Sequence, residues 1–226
     1  MTDTKTISAP ADQSQAMDQM YRLTRHVYDL SRKYYLLGRD QLLDQMAPAL
    51  QPGDRVLEIG CGTARNLVGL ARRNPKVELY GLDASRQMLE TAEKNLRKSG
   101  LLGRIVLRPE LAENLRHETT FDLREPFDAL FFSYSLSIIP TWPLALEAGL
   151  ANLKSGGTLY IVDFWDQGDL PAWFGKMLRG WLKKFHVAHR PELLTQLRAW
   201  EEKDLGTLTV QSVARRYAYI AKFQKK

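Results

Sequence analysis

Two short segments constrain this chain more than anything else in it. Val56–Leu67 reads VLEIGCGTARNL, and Tyr80–Leu89 reads YGLDASRQML. Each begins as an apolar run rich in β-forming residues, reaches an acid (Glu58, then Asp83), and passes through a turn into a helical pattern. Apolar runs of that length separated by helices are the signature of buried parallel strands. In an open parallel sheet ligands bind beyond the carboxyl ends of the strands, where these acids and the Gly60-Cys61-Gly62 turn fall. Glycine permits left-handed backbone and a close approach to a ligand. A carboxylate 21 residues beyond Gly62 stands where a ribose diol is held in this kind of unit. The segments therefore predict a nucleoside pocket before anything points to a second substrate.

The rest of the chain fits one α/β domain. Strands are expected at Arg55–Ile59, Val77–Leu82, Arg104–Arg108, Ala129–Ser133 and Thr158–Phe164, with helices at Ala64–Arg73, Ser85–Lys98 and Pro143–Leu153. Lys154-Ser155-Gly156-Gly157 reads as a stop and turn before the fifth strand. This alternation implies a doubly wound parallel sheet. Leu208–Gln211 and Tyr217–Phe223 depart from it. Their tight connection allows only an antiparallel pair. Ala16–Tyr35 reads as an amphipathic helix. We expect residues 1–13 to be a disordered leader and residues 14–226 a single domain, with a helical lid over 14–45 and a core over 54–226.

Composition narrows the class. A chain of 226 residues can bury a substantial core, and a charged fraction of 26% is ordinary for a globular domain. No apolar run approaches the ~20 residues that span a bilayer. The first residues, MTDTKTISAPADQSQ, lack the apolar stretch of a secretory signal. The single cysteine, Cys61, excludes an internal disulfide framework. A cytoplasmic location is expected on these grounds. The net charge of +6 favours anionic partners or is simply surface solvation.

Which nucleoside follows from two details. A dinucleotide fingerprint, G-x-G-x-x-G, needs a third glycine where this chain has Arg65. Glu58, two residues before the first glycine, is ill placed beside a pyrophosphate and suits a cation. S-adenosylmethionine carries an ammonium beside a sulfonium. At this point the two segments resemble the motifs of the class I S-adenosylmethionine-dependent methyltransferases, with Ala64 standing where the last glycine of acid-x-Gly-x-Gly-x-Gly is usual. The resemblance runs over roughly Asp54–Phe164. It implies a Rossmann-like α/β fold, a doubly wound seven-stranded, mainly parallel sheet. It also implies roles for particular residues. Gly60, Cys61 and Gly62 would line the methionine portion beside Glu58, and Asp83, followed by Ala84, would hold the ribose. Met88, Ala112 and Glu113 would lie about the adenine, while Ser133 and Tyr134 would border the transferable methyl.

The acceptor is argued from the flanks. The Asn/Asp-Pro-Pro-aromatic motif of enzymes that methylate base amines is replaced here by Ser133-Tyr134-Ser135-Leu136, and no interleaved basic and aromatic cluster suggests nucleic acid. Pro171–Phe185, PAWFGKMLRGWLKKF, sets aromatic and aliphatic residues on one helical stripe and Lys176, Arg179, Lys183 and Lys184 on the other. It reads either as an interfacial helix on an anionic leaflet or as a core helix with a solvated basic face. Val27–Asp40 mixes Tyr28, Tyr34 and Tyr35 with Arg32 and Arg39. Those rings either pack the lid or embrace a methylated ammonium, and the arginines could pair with a substrate carboxylate or phosphate.

With Phe131–Trp142, Leu159–Phe174 and Phe185–Leu194, this lid is similar to the bacterial N-methyltransferases of betaine-lipid synthesis. That resemblance implies trimethylation of diacylglyceryl-homoserine to diacylglyceryl-trimethylhomoserine. It implies a lipid headgroup as substrate, transient contact with the inner membrane face, and coupling to an enzyme that transfers the aminocarboxypropyl group. Tyr28, Tyr134 and His186, with Asp163, are the candidate proton acceptors or orienters, although His186 serves equally well as a structural residue. Phosphatidylethanolamine, a small soluble amine, and a non-catalytic S-adenosylmethionine-binding role stand as alternatives. Four histidines and one cysteine show no metal-ligand spacing.

Overall fold

The computed structural model describes residues 36–171, 173, 177–178, 180 and 189–226. The helix expected at Ala16–Tyr35, most of Pro171–Phe185, and Tyr28, Arg32, Tyr34, Tyr35 and His186 lie outside the described residues. Seven strands form one sheet: β1 (Arg55–Ile59), β2 (Glu78–Asp83), β3 (Ile105–Pro109), β4 (Phe127–Ser133), β5 (Leu153–Phe164), β6 (Gly206–Val213) and β7 (Ala218–Lys225). Their order is β3-β2-β1-β4-β5-β7-β6. The first five run parallel, and β7 lies antiparallel between β5 and β6. The fold is thus the α/β class expected from the sequence, including the antiparallel C-terminal pair.

Helices are α1 (Arg39–Met46), α2 (Arg65–Arg73), α3 (Arg86–Lys98), α4 (His117–Phe121), α5 (Trp142–Ala151) and α6 (Glu192–Glu202). Strand residues alternate between two cores. Val56, Ala129, Phe131 and Val162 join Leu42, Leu43, Met46, Leu67, Leu70 and Leu89 of α1, α2 and α3 on one face. Leu57, Ile59, Leu130, Phe132 and Ile161 join Phe121, Leu146, Leu193, Leu197 and Trp200 of α4, α5 and α6 on the other. Period-two alternation with apolar residues at both phases is what burial of both faces demands. Tyr80, Phe121 and Phe127 close the second core edge to face, with centroids 5.4–5.6 Å apart. Among the described residues no helix is long and apolar enough to cross a membrane.

Two expectations are corrected. Lys154–Gly157 does not end the helix and turn ahead of a strand; it lies inside β5. Phe127 pairs with Leu153, but Ala129 pairs with Thr158, so β5 accommodates extra residues in a bulge at which Gly156 takes φ +77°. The second correction concerns Arg39–Met46. The end of the segment expected as a helical lid continues to Met46 as a helix sunk into the first core, with Leu43 and Met46 fully buried. Its charged face masks it in the sequence, because Arg65 and Arg73 of α2 hold Asp40 and Asp44.

Candidate functional site

Strand order reverses direction between β1 and β4, so the loops after β1 and β4 part and leave a crevice. A cavity of about 670 Å³, open at its mouth, occupies this point. Gly60 and Gly62 come from the turn after β1, Asp83 and Ala84 from the end of β2, and Glu110, Leu111, Ala112 and Glu113 from the segment after β3. Ser133 ends β4, and Tyr134, Ser135, Ile138, Ile139 and Thr141 follow it.

The β1 turn is held from beneath. Gly60 and Cys61 N–H groups both donate to the Leu82 carbonyl, at 2.8 and 3.0 Å. Gly60 has φ +76°, and a Cβ there would stand 2.5 Å from Ser135 Cβ, so glycine is required on both counts. Ala64 adopts φ 60° and begins α2. A left-handed alanine costs about 1–2 kcal/mol, which is why a glycine would be at ease there.

Asp83 organises the turn as well as facing the cavity. Its Oδ2 accepts from Gly62 N–H at 2.7 Å, and its Oδ1 accepts from Ser85 N–H at 2.9 Å. Ser85 in turn caps α3 by accepting from Met88 N–H. One carboxylate therefore ties the β1 turn to the start of α3 at the edge of the cavity.

Glu58 is 1% exposed, directly below the turn on β1. Oε1 accepts from Asn66 Nδ2 at 2.7 Å, and Oε2 is buried with no hydrogen-bond partner among the described residues. Burial lifts its pKa from 4.5 to about 8, a rise opposed by the Asn66 hydrogen bond and the charge of Arg39 and reinforced by Asp83. A buried oxygen left unpaired in this way lacks a donor or a cation.

Beside Asp83 the cavity offers an apolar slot made by Leu82, Leu111, Ile138 and Ile139, whereas Glu58 is not among its described lining residues and lies buried behind the Gly60 turn. At its rim Glu113 Oε1 accepts from Thr141 Oγ1 at 2.8 Å. Diol and flat base thus meet fitting chemistry at the lining, a buried carboxylate that suits a cation stands behind it, and S-adenosylmethionine presents all three groups. Glu58, Gly60, Gly62, Asp83, Ala112 and Glu113 are the residues that would hold it.

The structure does not bring every expected residue to the cavity. Cys61 is a wall component, not a lining residue: its Sγ would lie 2.9 Å from a Cβ on Gly81. Met88 is 9% exposed within the buried face of α3. Arg39 Nε donates to the Leu36 carbonyl at 3.3 Å, and its charge acts on Glu58 from outside the cavity lining. Tyr134 lines the cavity but is corrected as a proton acceptor. Its Oη donates to the Leu37 carbonyl at 2.6 Å, and burial pushes the phenol well above its ordinary pKa. Asp163 is also set aside as an acceptor facing substrate, since its two oxygens accept from Phe164 and Ser137 N–H groups in the core. Glu110, Leu111, Ser135 and Ile138–Thr141 also line the cavity, and the sequence alone assigns them no role there. The run of small and apolar residues after β4 carries no charge or glycine to mark it.

Residues 50–216 match the family described as Methyltransferase domain. The chain is 25% identical over 186 residues to the ubiquinone/menaquinone biosynthesis C-methyltransferase UbiE of Rhizobium leguminosarum bv. trifolii, covering 73% of this chain and 69% of that one. It is 34% identical over 119 residues to the trans-aconitate 2-methyltransferase of Pseudomonas aeruginosa, covering 53% and 38%. An uncharacterised methyltransferase of Emericella nidulans is 47% identical over 60 residues, of which the chain spans about a fifth (21%). Several curated relatives are thus covered over much less than two thirds of their length. Among solved structures, a methyltransferase of Methanococcus maripaludis aligns over 100% of this chain and 97% of its own with TM-score 0.61 at 17% identity. The plantazolicin methyltransferase BpumL aligns over 94% and 96% with TM-score 0.67 at 12% identity. At those identities the likeness concerns the fold. With the family match spanning most of the length and the cavity suited to the cofactor, the chain belongs to the S-adenosylmethionine-dependent methyltransferases.

Proposed function

We propose that the protein is an N-methyltransferase of a lipid headgroup, converting diacylglyceryl-homoserine to diacylglyceryl-trimethylhomoserine in three transfers. S-adenosylmethionine, when bound, supplies an electrophilic methyl group. The amine lone pair forms the new N–C bond as the S–C bond breaks, and the electron pair goes to sulfur. Each of the first two product ammonium groups must shed a proton before the next transfer. The protein's part is to orient and to exclude water: Asp83 and the Gly60–Gly62 turn position the donor, and Ile138, Ile139 and Leu111 keep the slot dry.

The observation that carries the lipid reading is the set of large apolar side chains left at the surface. Trp173 is 67% exposed and Met177 57%, within the segment whose pattern describes an interfacial helix. Leu144, 54% exposed, stands three residues beyond Thr141 of the cavity rim. A surface of this kind suits transient contact with an anionic leaflet, where the substrate resides. An aminocarboxypropyl-transferring enzyme would then supply the acceptor.

A second reading, C-methylation of a quinone precursor, is favoured by the relative that covers 73% of the chain. The purified full chain should be incubated with methyl-labelled S-adenosylmethionine and vesicles containing diacylglyceryl-homoserine, phosphatidylethanolamine or demethylmenaquinone. The expected result is one to three labelled methyls on the homoserine lipid. Label on the quinone alone, or none anywhere while calorimetry shows the donor bound, overturns the reading.

A further inference from the structure

A second cleft of about 610 Å³ lies at the carboxyl end of β5, lined by Phe164, Trp165, His189, Arg190, Arg198, Arg216 and Tyr219 among others. Among the described residues it shares none of its lining with the cofactor cavity. Tyr134, from the first, meets Phe164, from the second, with ring centroids 4.7 Å apart.

Among the described lining residues, three arginines stand against one carboxylate, Asp166, which pairs with Arg216. Arg216 also lies over the Trp165 ring, 4.9 Å from its centroid. Its Nε, and that of Arg190, are buried without hydrogen-bond partners among the described residues. Tyr219 is 2% exposed, and its Oη too has no such partner. Buried donors left unpaired are costly, and three at one cleft share a single remedy, an acceptor with several oxygens. The first turn of α6, at Pro191–Thr195, faces the same space and adds the positive end of its dipole.

The backbone is bent to deliver these groups. Ala214, Arg215 and Arg216 form three successive left-handed residues at the β6–β7 turn, with φ of 48°, 58° and 59°. Gln167 is left-handed as well, and its N–H donates to the Arg216 carbonyl at 2.9 Å. Arg216 is thereby pinned beside Trp165, whose own N–H donates to the Tyr217 carbonyl at 3.0 Å.

We propose that this cleft is an oxyanion site, separate from the donor cavity, in which Arg190, Arg198, Arg216 and Tyr219 bind a phosphoryl-type group. Such a group reaches the cleft either as free phosphate or as the headgroup of an anionic lipid. The site does not depend on which amine is methylated.

The test uses the full chain, Arg198→Gln (an exposed position) and Tyr219→Phe (which removes one oxygen and keeps the ring), with donor affinity as the check on folding. Inorganic phosphate is titrated by calorimetry, and co-sedimentation with phosphatidylglycerol vesicles is compared with neutral phosphatidylcholine vesicles. Either variant should weaken phosphate binding or phosphatidylglycerol binding at least 10-fold, with donor affinity within 2-fold of wild type. Loss of the phosphate response assigns the free ion, and loss of the vesicle response alone assigns the headgroup. If both variants bind phosphate and both vesicle types as wild type does, the site is refuted.

Discussion

Glu58, whose Oε2 has no hydrogen-bond partner among the described residues, ties stability to pH by an amount that can be worked through in free energy. Burial above all lifts its carboxyl from 4.5 to about 8, against the Asn66 hydrogen bond and the charges of Arg39 and Arg65. At about 1.4 kcal/mol per pH unit this is roughly 5 kcal/mol against ionisation. In the native state Glu58 therefore holds its proton at neutral pH, whereas in the unfolded chain it has lost it. Where the native state binds more protons, stability falls as pH rises. The stability that Glu58 contributes is present below pH 4.5 and lost progressively as pH climbs to about 8. Glu58→Gln keeps the shape and the contact with Asn66 while removing the titration. Denaturant melts between pH 5 and 8 should show wild type losing stability relative to the variant, by up to several kcal/mol.

Donor binding should reverse the cost. An ammonium beside Oε2 favours the ionised carboxylate, so binding at pH 6.5 should expel about one proton, read by calorimetry in buffers of different ionisation enthalpy. In Glu58→Gln the proton release should vanish. Donor affinity should fall about 10- to 100-fold, the worth of one hydrogen bond to a charged group, about 1.5–3 kcal/mol. Binding by wild type without proton release, or parallel stability curves for the two proteins, would refute the placement of the cation beside Glu58.

Gly60→Ala should destabilise the protein by about 1–3 kcal/mol in denaturant melts and weaken the donor at least 10-fold, because the new Cβ meets Ser135, whose Oγ is held by the Ile59 carbonyl at 2.8 Å. Asp163 is lifted by burial from 3.8 to about 7. Its contribution to stability is accordingly full below pH 3.8 and lost by about pH 7, a change of roughly 4 kcal/mol. Asp163→Asn should match wild type near pH 4 and exceed it near pH 8 in thermal melts. Equal pH profiles would show that Asp163 is ionised throughout.

The two motifs were legible because their residue types are forced by local geometry. A strand that is buried on both faces must be apolar, a turn with positive φ and no room for a Cβ must be glycine, and an acid at a strand end stands out from its surroundings. Ser85 could be placed at the start of α3 for a similar local reason, since a cap uses its own side chain. What escaped was non-local. The bulge at Lys154–Gly157 depends on pairing with Phe127 and Ala129, and a Gly-Gly pair reads equally as a turn. Arg39–Met46 looks polar because its acids answer Arg65 and Arg73, which are distant in sequence. The oxyanion cleft gathers residues 164–219, and no spacing along the chain announces it.

By itself, the sequence determined the sheet, the donor and the identities of Glu58, Gly60, Gly62 and Asp83, because periodicity and backbone sterics act over a few residues. Only the tertiary structure decided what those residues do to one another. It made Asp83 the clamp on the Gly62 N–H as well as a candidate ribose ligand, and it left one oxygen of Glu58 buried without a hydrogen-bond partner among the described residues. It took Tyr134 out of proton transfer through its bond to the Leu37 carbonyl. Burial and hydrogen-bond partnership set the chemistry of a polar side chain, and both are properties of neighbours brought together by folding rather than of position in the chain.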